Sequence, residues 1–190
     1  KLNEPTRIAL EGAAGLCLSR THYNVEIEHW LLKLLEIPGS DINAALEKFD
    51  VDPGKLSQDL NRELDRIKSG NTRAPALSPN VVDIAKNAWL LASVDYGQTV
   101  ATSAHLLTAI MLDDGIRRST EAVSSELKKV TPESLREVTR AIVGTTHESG
   151  KSAMGDTTSA ASSGVSGAPS KTPALDKFTV NLTEDARQGK

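Results

Sequence analysis

A single cysteine, Cys17, stands in 190 residues. An internal disulfide is therefore excluded, and nothing demands an oxidising compartment. Aromatic residues are scarce, at 3%. A β-sandwich of this length would ordinarily carry more, whereas packed helices can build a core from Leu, Ala, Val and Ile. Excess positive charge is missing too, since the net charge is -3. That removes any bulk attraction to nucleic acid or to an anionic membrane. No apolar run approaches the ~18 residues of a membrane helix. The first residues carry no signal-peptide pattern, because Lys1 is followed by polar Asn3, Glu4 and Arg7. Lys1 is not a natural start, so further residues are expected upstream.

What is present is helical periodicity. Between Ala9 and Leu35 the chain reads helix, turn, helix. Ala9, Ala13, Leu16 and Cys17 fall on one face of the first helix. The turn holds Thr21, His22, Tyr23 and Asn24, and Trp30, Leu31, Leu34 and Leu35 give the second helix a broad apolar surface. The same grammar returns 76 positions later: Ile8 meets Ile84, Ala9 meets Ala85, His29 meets His105 and Leu31 meets Leu107. An internal repeat with a constant offset follows. Repeat one is expected over about 1–68 and repeat two over about 78–143, each with four helices.

Punctuation supports that division. Asn3 with Pro5, Ser40 or Asp41, and Ser78 with Pro79 read as helix starts. Ser103 is expected to cap the second helix of repeat two. Two short helices, Ser119–Val130 and Pro132–Val143, complete it. Ser69–Pro75 is a polar connector. From 144 to 174 Ser, Thr, Gly, Ala and Pro dominate, a composition that cannot bury enough apolar area to offset ordering. A flexible linker is expected there. Leu175, Phe178, Val180 and Leu182 restore apolar character over 175–190, as at the start of another, truncated domain.

Candidate catalytic chemistry is thin. GTTHESGKS, at 144–152, has five residues between Gly144 and Gly150 where a phosphate-wrapping P-loop needs four. His22, Glu26, Glu28 and His29 lack metal-ligand spacing, and His29 and His105 read as core imidazoles bonding a turn. Cys17, on the core face, has no cationic neighbour to activate it. Trp30 and Trp89 read as packing residues, either of which could show an edge to a groove. Gly12, Gly15, Ser19 and Ile8 form a smooth second stripe on the first helix. Two glycines cost that helix roughly 1 kcal/mol each relative to alanine. A neighbouring helix or a partner peptide should approach it closely. The residues support an all-α domain and give no support for enzyme chemistry.

The motif Ala-Leu-x-x-Ala-x-x-Leu from Ala9 to Leu16, the turn, and Glu-His-x-Leu-Leu-x-Leu-Leu from Glu28 to Leu35 resemble the N-terminal domain of Clp/Hsp100 unfoldases. LCLSRTHYNVEIEHWLLKLLE (Leu16–Glu36), SGNTRAPALSP (Ser69–Pro79) and AWLLAS (Ala88–Ser93) are similar to its ClpV (TssH) branch, the AAA+ ATPases of bacterial type VI secretion. The likeness covers about Leu2 to Val143. In repeat two Ala104 precedes His105 where Glu28 precedes His29, a departure from the commoner pattern. The resemblance implies a pseudo-two-fold double four-helix bundle that grips an amphipathic helix of the small sheath protein TssC (VipB) and directs disassembly of contracted sheath. It also implies a bacterial cytoplasmic location, a homo-hexameric parent, and ATP with Mg in a motor that this chain lacks. Within 175–190 it implies the lead-in to the first AAA+ module. The alternatives are a general aggregate-binding domain, as in ClpB, and a structural spacer of the ring. In such domains the start of the first helix lies near the start of the second repeat. Leu2, Val81, Val82, Ala85 and Ile8 are therefore expected to line the groove, with Asn3 and Thr6 as polar contacts at its rim.

Overall fold

The computed structural model describes residues 1–143 together with Thr145 and Glu148. The expected linker and the 175–190 segment lie outside the described residues. So does most of the P-loop-like stretch. Eight α-helices are described. Repeat one holds α1 (Glu4–Ser19), α2 (Ile27–Leu35), α3 (Asp41–Lys48) and α4 (Pro53–Leu64). Repeat two holds α5 (Pro79–Val94), α6 (Ser103–Leu112), α7 (Asp114–Val123) and α8 (Pro132–Ile142), with a 3₁₀ turn at Ser125–Lys129.

Side chains on the preceding loops start most of these helices. Asn3, Ser40, Asp52 and Ser78 each accept hydrogen bonds from first-turn amides. Repeat two departs from expectation twice. Its second helix is capped at Thr102, and Ser103 is already its first helical residue. The expected Ser119–Val130 helix is instead α7 plus the 3₁₀ turn. The chain becomes extended at Ser124, whose Oγ donates to Asp59 at 2.7 Å and accepts from the Glu126 amide. A side chain that satisfies the next turn while bonding another helix ends α7 there.

The repeats are not related by one constant offset. Thr6, Ala9, Ala13 and Cys17 are the buried positions of α1, and Val81, Ile84, Ala88 and Ala92 are those of α5, an offset of 75. In the second helices His29 and His105 keep the offset of 76. Repeat two thus carries one extra residue in its turn. The amide of His22 reaches back to the Cys17 carbonyl, whereas the amide of Gln98 must reach the Ala92 carbonyl, one position further. Tyr96 is the insertion. Its ring meets His105 edge to face at 4.8 Å, as His22 meets His29 at 5.1 Å in repeat one. The Ile8/Ile84 and Ala9/Ala85 identities are therefore coincidences of an alignment shifted by one residue.

The turns hold the halves together by exchange. β1 (Asn24–Val25), in the turn of repeat one, pairs in parallel with β2 (Ala76–Leu77), the lead-in to repeat two. Reciprocally, Leu2 bridges to Ala101 in the turn of repeat two. The Asn3 amide donates to the Ala101 carbonyl at 2.9 Å, and the Ala101 amide to the Lys1 carbonyl at 2.8 Å. Thr21 and Gly97 hold equivalent left-handed positions, with φ of 55° and 63°. Threonine is strained there, and its carbonyl and hydroxyl are tied by the amides of Asn71 and Gly70. One contiguous core, including Trp30, Leu31, Leu34, Leu106, Leu107 and Ile110, runs through both repeats. Among the described residues no helix is long and apolar enough to cross a membrane.

Candidate functional site

The pairing of Leu2 with Ala101, and of Leu77 with Val25, brings the two repeat lead-ins onto one face. Between them lies an open groove of about 360 Å³, floored by Leu2, Leu10, Leu77, Val82, Ala85 and Trp89, with Lys1 and Lys86 also on its lining. Applying the offset of 75, Leu77 is the counterpart of Leu2 and Ala85 that of Leu10. The groove therefore sits on the pseudo-two-fold. Symmetry fails along its walls. The counterparts of Val82, Lys86 and Trp89 on α5 are Arg7, Glu11 and Ala14 on α1, which are not on the lining, and Arg7 and Glu11 pair with each other. An elongated occupant meets an apolar lining with one aromatic ring, Trp89, and two charged members, Lys1 and Lys86.

The structure brings Leu2, Val81, Val82 and Ala85 together here, although Val81 is fully buried beneath the floor. Leu10, Leu77 and Trp89 join them. Trp89 is 44% exposed and Leu77 46%, so both offer apolar surface to a partner. Asn3 and Thr6 are not at the rim. Both are buried. Asn3 caps α1 through its Oδ1, which accepts from the Thr6 amide, and its Nδ2 donates to Glu148 at 2.8 Å. Ile8 is exposed on a different hollow, with Gly12, Gly15, Ser19, Lys33 and Ile37. The smooth stripe is half covered from within: a Cβ on Gly12 would lie 3.5 Å from the Lys33 stem, while one on Gly15 would meet nothing.

Neither the histidines nor the cysteine builds a reactive centre. The Nδ1 of His29 accepts from the Glu26 amide at 3.0 Å, so its Nε2 carries the proton towards His22 Nδ1, 2.9 Å away. The Nδ1 of His105 accepts from the Thr102 amide at 3.1 Å. These imidazoles tie off the starts of α2 and α6. Burial holds each at a pKa of about 4, helped at His29 by His22 and Arg20. The Cys17 thiol is buried against the carbonyls of His22 and Asn24, and desolvation pushes its pKa up. A wider cleft carries Glu26, Glu28, Glu63, Asp83 and Asp113. Burial, with Glu26 and Glu63 nearby, raises the Glu28 pKa. Among the described residues no His/Cys/Asp/Glu cluster could hold a metal ion. The apolar groove on the pseudo-two-fold is the candidate site, and what it can do chemically is hold the apolar face of a helix.

Comparison with known proteins agrees in class. The model of the Clp repeat (R) N-terminal domain matches residues 1–123. The AAA+ ATPase ClpV1 of Pseudomonas aeruginosa is 35% identical over the whole of this chain, which spans 22% of that protein's length. A solved chain from work on the coevolution of the ATPase ClpV, the TssB–TssC sheath and the accessory HsiE protein superposes with a TM-score of 0.73 at 30% identity, over 78% of this chain and 91% of that one. A ClpV N-domain solved in complex with a VipB peptide superposes with a TM-score of 0.64 at 28% identity, over 75% and 86%. The fold and groove thus define a double-repeat domain of the kind that precedes Clp-type motors. The chain belongs to the Clp N-terminal repeat domain family.

Proposed function

We propose that this domain is the substrate-recognition module of a type VI secretion unfoldase. It holds an amphipathic N-terminal helix of the sheath protein TssC (VipB) in the groove on its pseudo-two-fold. The observation that carries this reading is an apolar trough with an exposed tryptophan, in a fold whose ClpV relative has been solved with a VipB peptide. In the longer parent, a homo-hexameric motor fed by ATP and Mg would then extract and recycle contracted sheath. The domain itself contributes recognition and no nucleotide chemistry, because its GTTHESGKS stretch has the wrong spacing for a phosphate loop.

The groove also defines the ligand's form. Two or three large apolar side chains at i, i+3, i+4 spacing fill the floor, each contributing roughly 1.5–3 kcal/mol. Ordering costs offset much of that, which leaves micromolar affinity. Lys1 and Lys86 along the lining favour carboxylates on the partner's polar flank, an attraction that salt screens. Titrating the domain with a synthetic N-terminal helix of the TssC (VipB) sheath protein from the same type VI system should give saturable one-to-one binding. Val82→Asp replaces an apolar floor contact by a hydrated carboxylate beside Lys86, which no apolar side chain of the partner can cover without desolvating it. It should weaken that binding tenfold or more while far-UV circular dichroism stays unchanged. Absence of binding by the wild type, or full affinity in folded Val82→Asp, overturns the assignment.

A further inference from the structure

Glu148 stands six positions beyond Ile142, the last residue of α8, yet its carboxylate is buried, 3% exposed. It occupies a complete cradle of donors. Oε1 accepts from the Asp41 amide at 2.9 Å and from the Ser103 hydroxyl at 2.5 Å. Oε2 accepts from the Ser103 amide at 3.0 Å and from Asn3 Nδ2 at 2.8 Å. The two amides are the first of α3 and of α6, which no intrahelical carbonyl can satisfy. Both helix dipoles therefore point their positive ends at one carboxylate. The Ser103 hydroxyl also accepts from the Ile42 amide at 2.9 Å. One side chain thus binds the starts of three helices from both repeats.

The Asn3 contact connects this cradle to the groove. Leu2, the neighbour of Asn3, lines the groove, and the Asn3 amide makes the backbone bond that lays Leu2 beside Ala101. Resting on the proposed groove function, we infer that Glu148 is a positioning residue for the peptide groove, fixing its Leu2 wall through Asn3. Glu148 and the site that receives the partner are thereby coupled. A partner seated on Leu2 favours the seated Glu148, and by linkage the seated Glu148 raises affinity for the partner.

Three variants test this by two readouts. Glu148→Gln presents an NH2 group to a cradle made of donors. Asn3→Asp keeps the α1 cap but sets a carboxylate against Glu148. In the double variant the glutamine amide can donate to the aspartate, so the contact between positions 3 and 148 is restored with its polarity reversed, while the mismatch with the Ser103 amide stays. Hydrogen exchange at the Asn3 and Ala101 amides should quicken tenfold or more in each single variant and recover in part in the double one. The amides of α4 should stay as slow as in the wild type. Affinity for the sheath-protein helix should fall about fivefold in each single variant and recover likewise. Unchanged exchange at Asn3 and Ala101 in Glu148→Gln, or no recovery in the double variant, overturns the inference. If the wild type binds no helix but the exchange pattern holds, Glu148 positions Leu2 as stated, and the groove reading is what fails.

Discussion

Acidification from pH 7 to pH 4 should cost this domain on the order of 5 kcal/mol. His29 and His105 are each fully buried, and burial holds both at a pKa of about 4. In the unfolded chain each titrates near 6.5. Between those values the unfolded state binds more protons than the folded one, so stability rises with pH across this window. Above about pH 6.5 the contribution is complete. As the pH falls it shrinks, and by about pH 4 roughly 3 kcal/mol per imidazole is gone at 1.36 kcal/mol per pKa unit. Glu28 opposes the loss, because its raised pKa favours the protonated folded state. Glu126 acts lower down. Lys129 and Lys55 hold its carboxylate at a pKa of about 2, so its contribution disappears only as the pH falls below about 4.5. A small domain has about 5–15 kcal/mol in total, so two buried imidazoles remove a third or more of it. Thermal melts at one-unit steps should therefore be flat from pH 8 to 7 and fall steeply from 6.5 to 4. His105→Asn keeps an acceptor for the Thr102 amide and removes one titration, so it should roughly halve the slope. A melting temperature that does not move between pH 7 and pH 5 would refute the account.

Those two histidines also mark how far the sequence could be read. Their equivalence was legible, because both begin an apolar helix after a polar turn and both bond the backbone of that turn. The helices, most caps and the apolar faces were legible for the same local reasons. The one-residue shift was not. Tyr96 is a turn insertion, and the true counterparts of Thr6 and Ala9 are Val81 and Ile84, pairs that share burial but not identity. With the correct offset Leu77 becomes the twin of Leu2, and Leu10 the twin of Ala85, so two of the three missed apolar groove residues could have been found, Trp89 being the third. Asn3 and Thr6 were misplaced for a different reason. Asn3 is drawn inward by Glu148, 145 positions away in sequence, and no local pattern signals a contact of that range. Ile8 was misplaced because the first helix has two outward stripes, and only packing decides which one meets the lead-in of the other repeat.

The two tryptophans should separate stability from recognition. Trp30 is 1% exposed, and its indole N–H donates to the Thr6 carbonyl at 3.2 Å, across from α2 to the first turns of α1. Replacing it by alanine removes the largest core side chain and should cost about 3–5 kcal/mol. Trp30→Phe keeps most of the apolar volume and loses the hydrogen bond, so about 1 kcal/mol of that cost should come from the bond itself. Trp89 lies on α5 with 44% of its surface exposed and its ring on the groove. Its replacement by alanine should change stability by less than about 1 kcal/mol, in line with half-exposed surface positions. At a peptide interface, however, an aromatic anchor of this kind contributes about 2 kcal/mol or more, which corresponds to roughly thirtyfold in affinity. The expected pattern is therefore crossed. Urea unfolding should shift strongly for Trp30→Ala and hardly for Trp89→Ala, whereas helix binding should fail in Trp89→Ala and persist in Trp30→Phe. Fluorescence gives a second check, because only Trp89 can change environment on binding: the emission change with the sheath helix should vanish in Trp89→Phe and remain in Trp30→Phe. If Trp89→Ala binds the helix with wild-type affinity, the anchor lies outside this groove.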